Sequence, residues 1–113
     1  VLAARIVRFR DALGGFVRTE QLHEVYGLDS AVVQKLLMVG FIHPDFVPAK
    51  VNINSADEKK LSAHPYIRKK IAGALIHYRF QHGDFMDIND IKKLTIMRPE
   101  ETGRLLPYLK TVD

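Results

Sequence analysis

Cysteine is missing from all 113 residues, which excludes disulfides and thiolate-held zinc. No apolar run approaches the roughly 18 residues that a membrane span needs, so this segment carries no expected membrane contact. The five histidines include no pair at i, i+4, and no carboxylate completes a ligand set, so neither a metal nor a cofactor is expected. Serines, histidines and carboxylates form no recognisable catalytic arrangement, and there is no extended glycine-rich phosphate loop. The expectation is a protein that is not an enzyme. Acidic side chains are lacking between His64 and Gly83, where Arg68, Lys69, Lys70 and Arg79 all fall.

What is present begins with a repeat. Leu2-Ala3, Phe9-Arg10, Gly14 and Phe16 recur sixty-nine positions on as Ile71-Ala72, Tyr78-Arg79, Gly83 and Phe85. The match continues without a gap through Leu22/Ile91, Val25/Leu94, Leu28/Met97 and Leu36-Leu37/Leu105-Leu106. A fixed period of this length marks a tandem supersecondary unit. Asn52 to Lys70, which open the second copy, have no counterpart before Leu2, so the chain is expected to be a piece of a longer protein. The organisation reads as a partial first repeat over 1–39 with its N-terminal part missing, a packed linker over 40–51, and a complete second repeat over 52–113. The net charge of +4 permits an anionic partner without requiring one.

The local pattern is all-α, with short helices joined by tight turns. Leu2, Ile6, Phe9 and Leu13 keep helical spacing, and Gly14-Gly15 end that helix. A short helix is predicted from about Thr19 to Tyr26. Another, capped by Asp29, runs over about 30–39. In the second copy, Ser55 and Glu58 have capping-box spacing for a helix reaching about Ala63. A longer helix runs from about Arg68 to Gln81 with Ile67, Ile71, Leu75 and Tyr78 on one stripe, closed by Gly83. Asp87 caps a helix to about Leu94, and Pro99 suits the first position of the last helix. Strand character is limited to a short extended piece near Val51-Asn52-Ile53. Phe16 and Phe85 read as core plugs. Arg10 and Arg79 read as structural, through an ion pair or a hydrogen bond to the following loop.

The stretch Leu61-Ser62-Ala63-His64-Pro65-Tyr66-Ile67-Arg68, followed by Ala72, Leu75 and Arg79, resembles a helix-hairpin-helix motif. With the preceding Asn-Ile-Asn-Ser-Ala-Asp and the following Gly-Asp-Phe, it is similar to the repeat of the ComEA family, the DNA receptors of natural competence. The resemblance implies tandem SAM-like, RuvA C-terminal-like repeats of two hairpins each, and an exported, envelope or periplasmic setting. It places a second hairpin at Leu94-Thr95-Ile96-Met97-Arg98, matched in the first unit by Val25-Tyr26-Gly27-Leu28-Asp29. It also implies DNA binding through the phosphate backbone, with no sequence readout.

The chemistry behind that expectation is a hairpin whose glycines let backbone amides reach a phosphate at a helix start. Here the glycine positions hold Tyr66 and Arg68 in one hairpin, Ile96 and Arg98 in the next, and Gly27 and Asp29 in the first unit. Side-chain charge is then the main resource. Arg68, Lys69 and Lys70 open the long helix, Lys69, Lys70 and His77 lie opposite its apolar stripe, and Arg8 takes the place of His77 in the first unit. The expected DNA-contacting set is Tyr66, Ile67, Arg68, Lys69, Lys70, His77, Arg8 and Gly27. A second expectation, from the replaced glycines, is a protein-interaction module with an exposed Tyr66 as its hot spot.

Overall fold

Helix α1 (Leu2–Leu13) stops where the backbone turns left-handed at Gly14 (φ 99°) and Gly15 (φ 110°). Both glycines are required by more than their torsions. A side chain at Gly14 would meet the Ala49 carbonyl, and one at Gly15 would meet the Phe46 ring. The computed structural model describes residues 2–25, 29, 31–34 and 46–113. It forms two compact units, Val1–Ala49 and Lys50–Asp113.

In the first unit, a 3-10 turn (Thr19–Glu24) follows α1, and α2 is described over residues 31–34. Leu13, Phe16, Leu22, Val25 and Val33 are its buried apolar residues. The Asp29 carboxylate accepts from the Val32 amide at 2.9 Å, the N-cap expected for it. The Ala49 amide donates to the Gly14 carbonyl at 2.8 Å, joining the end of the unit to the α1 turn.

The second unit holds β1 (Val51–Asn52), α3 (Glu58–Ser62), α4 (Arg68–His82), a 3-10 turn (Ile88–Lys93), α5 (Pro99–Leu105), a 3-10 turn (Leu106–Tyr108) and β2 (Leu109–Lys110). The two strands pair in parallel, Val51 with Leu109 and Asn52 with Lys110. Only the first of them was expected. The core gathers Ile53, Leu61, Ile67, Leu75, Phe85, Ile91, Leu105 and Tyr108, and all of them are almost wholly buried. Burying such side chains contributes roughly 1.5–3 kcal/mol each. The fold class is all-α, with the strand pair as its only departure among the described residues.

Three local expectations change. Asp57, not Ser55, caps α3, accepting from the Lys60 amide at 2.8 Å. The segments after Phe16 and Phe85 are 3-10 turns, where α-helix was expected. Each is held from inside by the side chain of its third residue, which binds two amides ahead of the turn. Arg79 donates to the Ala56 carbonyl at 2.6 Å, so it fastens the loop before its helix, not the loop after it.

Asn54 ties the second unit together. Its Nδ2 donates to the Phe85 carbonyl at 2.9 Å and the Thr111 carbonyl at 3.0 Å, and its Oδ1 accepts from the Phe85 amide at 2.6 Å. One side chain thereby joins the unit's opening loop, the loop after α4 and the end of β2.

Candidate nucleic-acid interface

The first hairpin of the second unit, between α3 and α4, is built on His64. This histidine is buried, and its ring packs between those of Tyr66 and Tyr108, with centroids 5.7 and 5.2 Å away. Its Nδ1 accepts from the Tyr66 amide at 3.1 Å, which puts the proton of the neutral ring on Nε2. Its carbonyl accepts from the amides of Ile67 at 3.0 Å and Arg68 at 3.1 Å. Three amides of the hairpin are therefore engaged inside the protein. Of the four donors that a helix start leaves over, those of Lys69 and Lys70 meet no carbonyl outside the helix among the described residues.

Arg68 adopts a left-handed conformation, φ 56°, the only positive φ at a non-glycine among the described residues. The motif's glycine geometry thus survives without its glycine, at a cost of roughly 1–2 kcal/mol. Arg98, at the matching place in the second hairpin, is ordinary extended backbone with φ −77°.

Burial sorts the expected set. Tyr66 is only 8% exposed, so its expected role as an exposed hot spot is corrected: the ring belongs to the core. Arg104 lies over that ring, 4.3 Å from its centroid, a cation–π contact. Ile67 is buried as well and presents no side chain to a ligand. Arg68, Lys69, Lys70 and His77 are exposed. Arg8 is exposed on α1 of the first unit, with its Nε directed to the Ala4 carbonyl. Gly27 lies outside the described residues.

The exposed cations at the start of α4 have no carboxylate at ion-pair distance among the described residues. Arg68 is exposed and uses its Nε on the Pro65 carbonyl at 3.3 Å. No acidic residue occupies the first turn, and no side chain caps it. An anion is the natural complement of such a helix start. Arg98 differs, because Glu100 and Glu101 lie 3.5 and 3.2 Å from its Nε. The Arg98 amide and side chain hold the Glu101 carboxyl below its ordinary range.

The two hairpins share a groove of about 440 Å³ that includes Arg68, Lys70, Ile96, Glu101 and Arg104. A second groove of about 220 Å³ includes His77, His82, Lys93 and Ile96. Sequence reading missed Arg104, whose neighbours in the chain gave no motif. It also missed His64, whose importance lies in one ring nitrogen.

A family model described as helix-hairpin-helix motif matches residues 1–39 and 48–110. The chain is similar to endonuclease/exonuclease/phosphatase family domain-containing protein 1 of Danio rerio, at 27% identity over 82% of this chain and 20% of that protein. It spans about a fifth of the length of that relative. No solved structure matches.

Proposed function

The chain belongs to the helix-hairpin-helix motif family, and on that premise we propose that it is a DNA-binding module gripping the phosphate backbone without sequence readout. The observation that carries the reading is the run Arg68-Lys69-Lys70: exposed, acid-free, and placed at an uncapped helix start. Contact there is by side-chain charge and the amides of Lys69 and Lys70, since the hairpin's other amides are spent on His64. Such contacts position a duplex and carry no base information.

The module performs no chemistry of its own in this reading. Its role resembles that of ComEA-type receptors, which hold DNA for a process carried out elsewhere. The zebrafish relative bears an endonuclease/exonuclease/phosphatase family domain in its name. A phosphate-gripping module tethered to such a domain would raise the local DNA concentration at it.

The test is fluorescence anisotropy of the chain with duplex DNA between about 50 and 200 mM salt. Binding that weakens with salt, with a slope reduced by about one for each of Arg68→Gln, Lys69→Gln and Lys70→Gln, is the expected outcome. Absent binding, or affinity indifferent to salt, overturns the reading. The occupied hairpin amides favour a second reading, a protein-interaction module that kept the fold. It gains ground if DNA affinity is absent while a partner is retained whose capture depends on Arg68.

A further inference from the structure

The apex of the second hairpin has lost its glycine to Ile96, and the structure shows that side chain to solvent. Ile96 is 37% exposed, while its neighbour Met97 is tucked in at 8%. A β-branched side chain at an apex keeps a phosphate away from the amides behind it, so this hairpin cannot serve as a glycine hairpin does. Its surroundings nevertheless suit an anionic strand. Ile96 lines both grooves, with Arg68, Lys70 and Arg104 on one side and His77, His82 and Lys93 on the other. Glu101, the one acid in the first groove, is already bound to Arg98. Beside the second groove, exposed Lys93 pairs at 3.5 Å with the half-buried Asp90, whose other oxygen is held by the Met86 and Asp87 amides.

We propose that Ile96 is an apolar wedge between two phosphate-holding grooves, touching the bases of a bound strand where the first hairpin touches only phosphate. The occupant is nucleic acid whose bases are unpaired or readily unstacked. Arg68, Lys70 and Arg104 on one flank, and Lys93 with the ring nitrogens of His77 and His82 on the other, suit the phosphates, and the apolar tip between them meets what lies between successive phosphates, the sugar and base. Apolar side chains between cations act in this way on unstacked base steps. The inference rests on the DNA-binding reading and adds a preference to it.

The experiment compares two single strands of equal length and charge, oligothymidine and an abasic oligomer, binding to the whole chain across a salt series. The wild type binds oligothymidine about tenfold more tightly, the scale of burying an aliphatic side chain against a base. Ile96→Ala brings that ratio close to one with the salt slope unchanged, and Ile96→Met restores most of the ratio. Arg68→Gln with Lys70→Gln does the reverse, lowering the slope and keeping the ratio. Equal, salt-dependent binding of both oligomers by the wild type overturns the wedge alone, as does an Ile96→Ala ratio equal to that of the wild type. Absence of salt-dependent binding to either oligomer overturns the wedge, and only the same absence with duplex DNA, run alongside, overturns the reading beneath it.

Discussion

The two units repeat at the level of individual hydrogen bonds and then part at one helix cap. Phe9 stacks on Phe16 with centroids 6.0 Å apart, and Tyr78 stacks on Phe85 at 4.5 Å. The Gly14 amide donates to the Arg10 carbonyl at 3.0 Å, and the Gly83 amide to the Arg79 carbonyl at 2.9 Å. Even the clamp on each 3-10 turn recurs. The Gln21 Oε1 accepts from the amides of Val17 and Arg18, and the Asp90 Oδ2 accepts from those of Met86 and Asp87.

At the helix after the second hairpin, each unit uses one half of a capping box. In the first unit the cap residue, Asp29, accepts from the third helical amide; in the second the third residue, Glu101, accepts from the cap amide of Arg98. The bond is conserved in kind while its charge moves three residues along the chain. That exchange makes the cap position acidic in one unit and basic in the other. The scaffold thus constrains where acceptors must be but leaves open which residue carries them, and surface charge can change without disturbing the fold.

The largest expected effect comes from the feature described only in the second unit. Asn54→Ala removes three hydrogen bonds and leaves buried or half-buried groups unsatisfied, for a loss of about 3 kcal/mol. Hydrogen exchange should show protection falling at Phe85 and Ile91. If Leu22 loses protection to the same degree, the units are not separately stabilised and the comparison breaks.

The turn clamps come next. Gln21 is fully buried and makes bonds of 2.7 and 3.0 Å, whereas the bonds of Asp90 are 3.2 and 3.3 Å. Gln21→Ala should cost about 2 kcal/mol and Asp90→Ala about 1 kcal/mol in urea unfolding. Equal losses would mean that the two clamps are energetically as alike as they are geometrically.

Much of this was legible in the sequence. The repeat, the glycine stops, the aromatic plugs and the long basic helix follow from spacing alone, because each is a local property of the chain. The second strand, the Asn54 junction and the Arg79–Ala56 bond were not, because each joins residues that only the fold brings together. Gln21 and Asp90 could have been found by aligning the copies and asking why two different acceptors stand sixty-nine residues apart. Exposure of Tyr66 was misjudged because a motif position says where a backbone goes and not which way a large ring turns. The site's cations were legible as a run, but Arg104 reaches the hairpin groove from another helix.

A smaller effect, of opposite sign, is expected at the hairpin apex. Arg68→Gly relieves the left-handed strain at φ 56°. Set against the entropy of an added glycine, the net gain is about 0.5–1 kcal/mol. The same change removes a phosphate contact and should lower the salt slope of DNA binding by about one. A variant more stable and less able to bind DNA would mark the arginine as kept for charge. A variant that is more stable and binds equally well would mean that the glycine backbone suffices.

The smallest effect concerns two carboxylates of the second unit that hold backbone amides at turn starts, one of them in the half capping box at Arg98. The Glu101 carboxyl is held below its ordinary range, first by the Arg98 amide and then by the Arg98 side chain, and the Asp87 carboxyl is held down chiefly by the Asn89 amide. Both pKa values are lower in the folded protein than in the unfolded chain. Each group's contribution is therefore fully present above its unfolded pKa and is lost as pH falls through the folded value. The thermal midpoint should fall slightly on acidification below the unfolded carboxylate range of roughly 4. In Glu101→Gln the amide oxygen still accepts from Arg98 but no longer titrates, so the acid-induced fall should be smaller than in the wild type. Asp87→Asn should reduce it independently, since the two carboxylates serve different turns. If the fall is the same in wild type and both variants, acid sensitivity lies outside these caps.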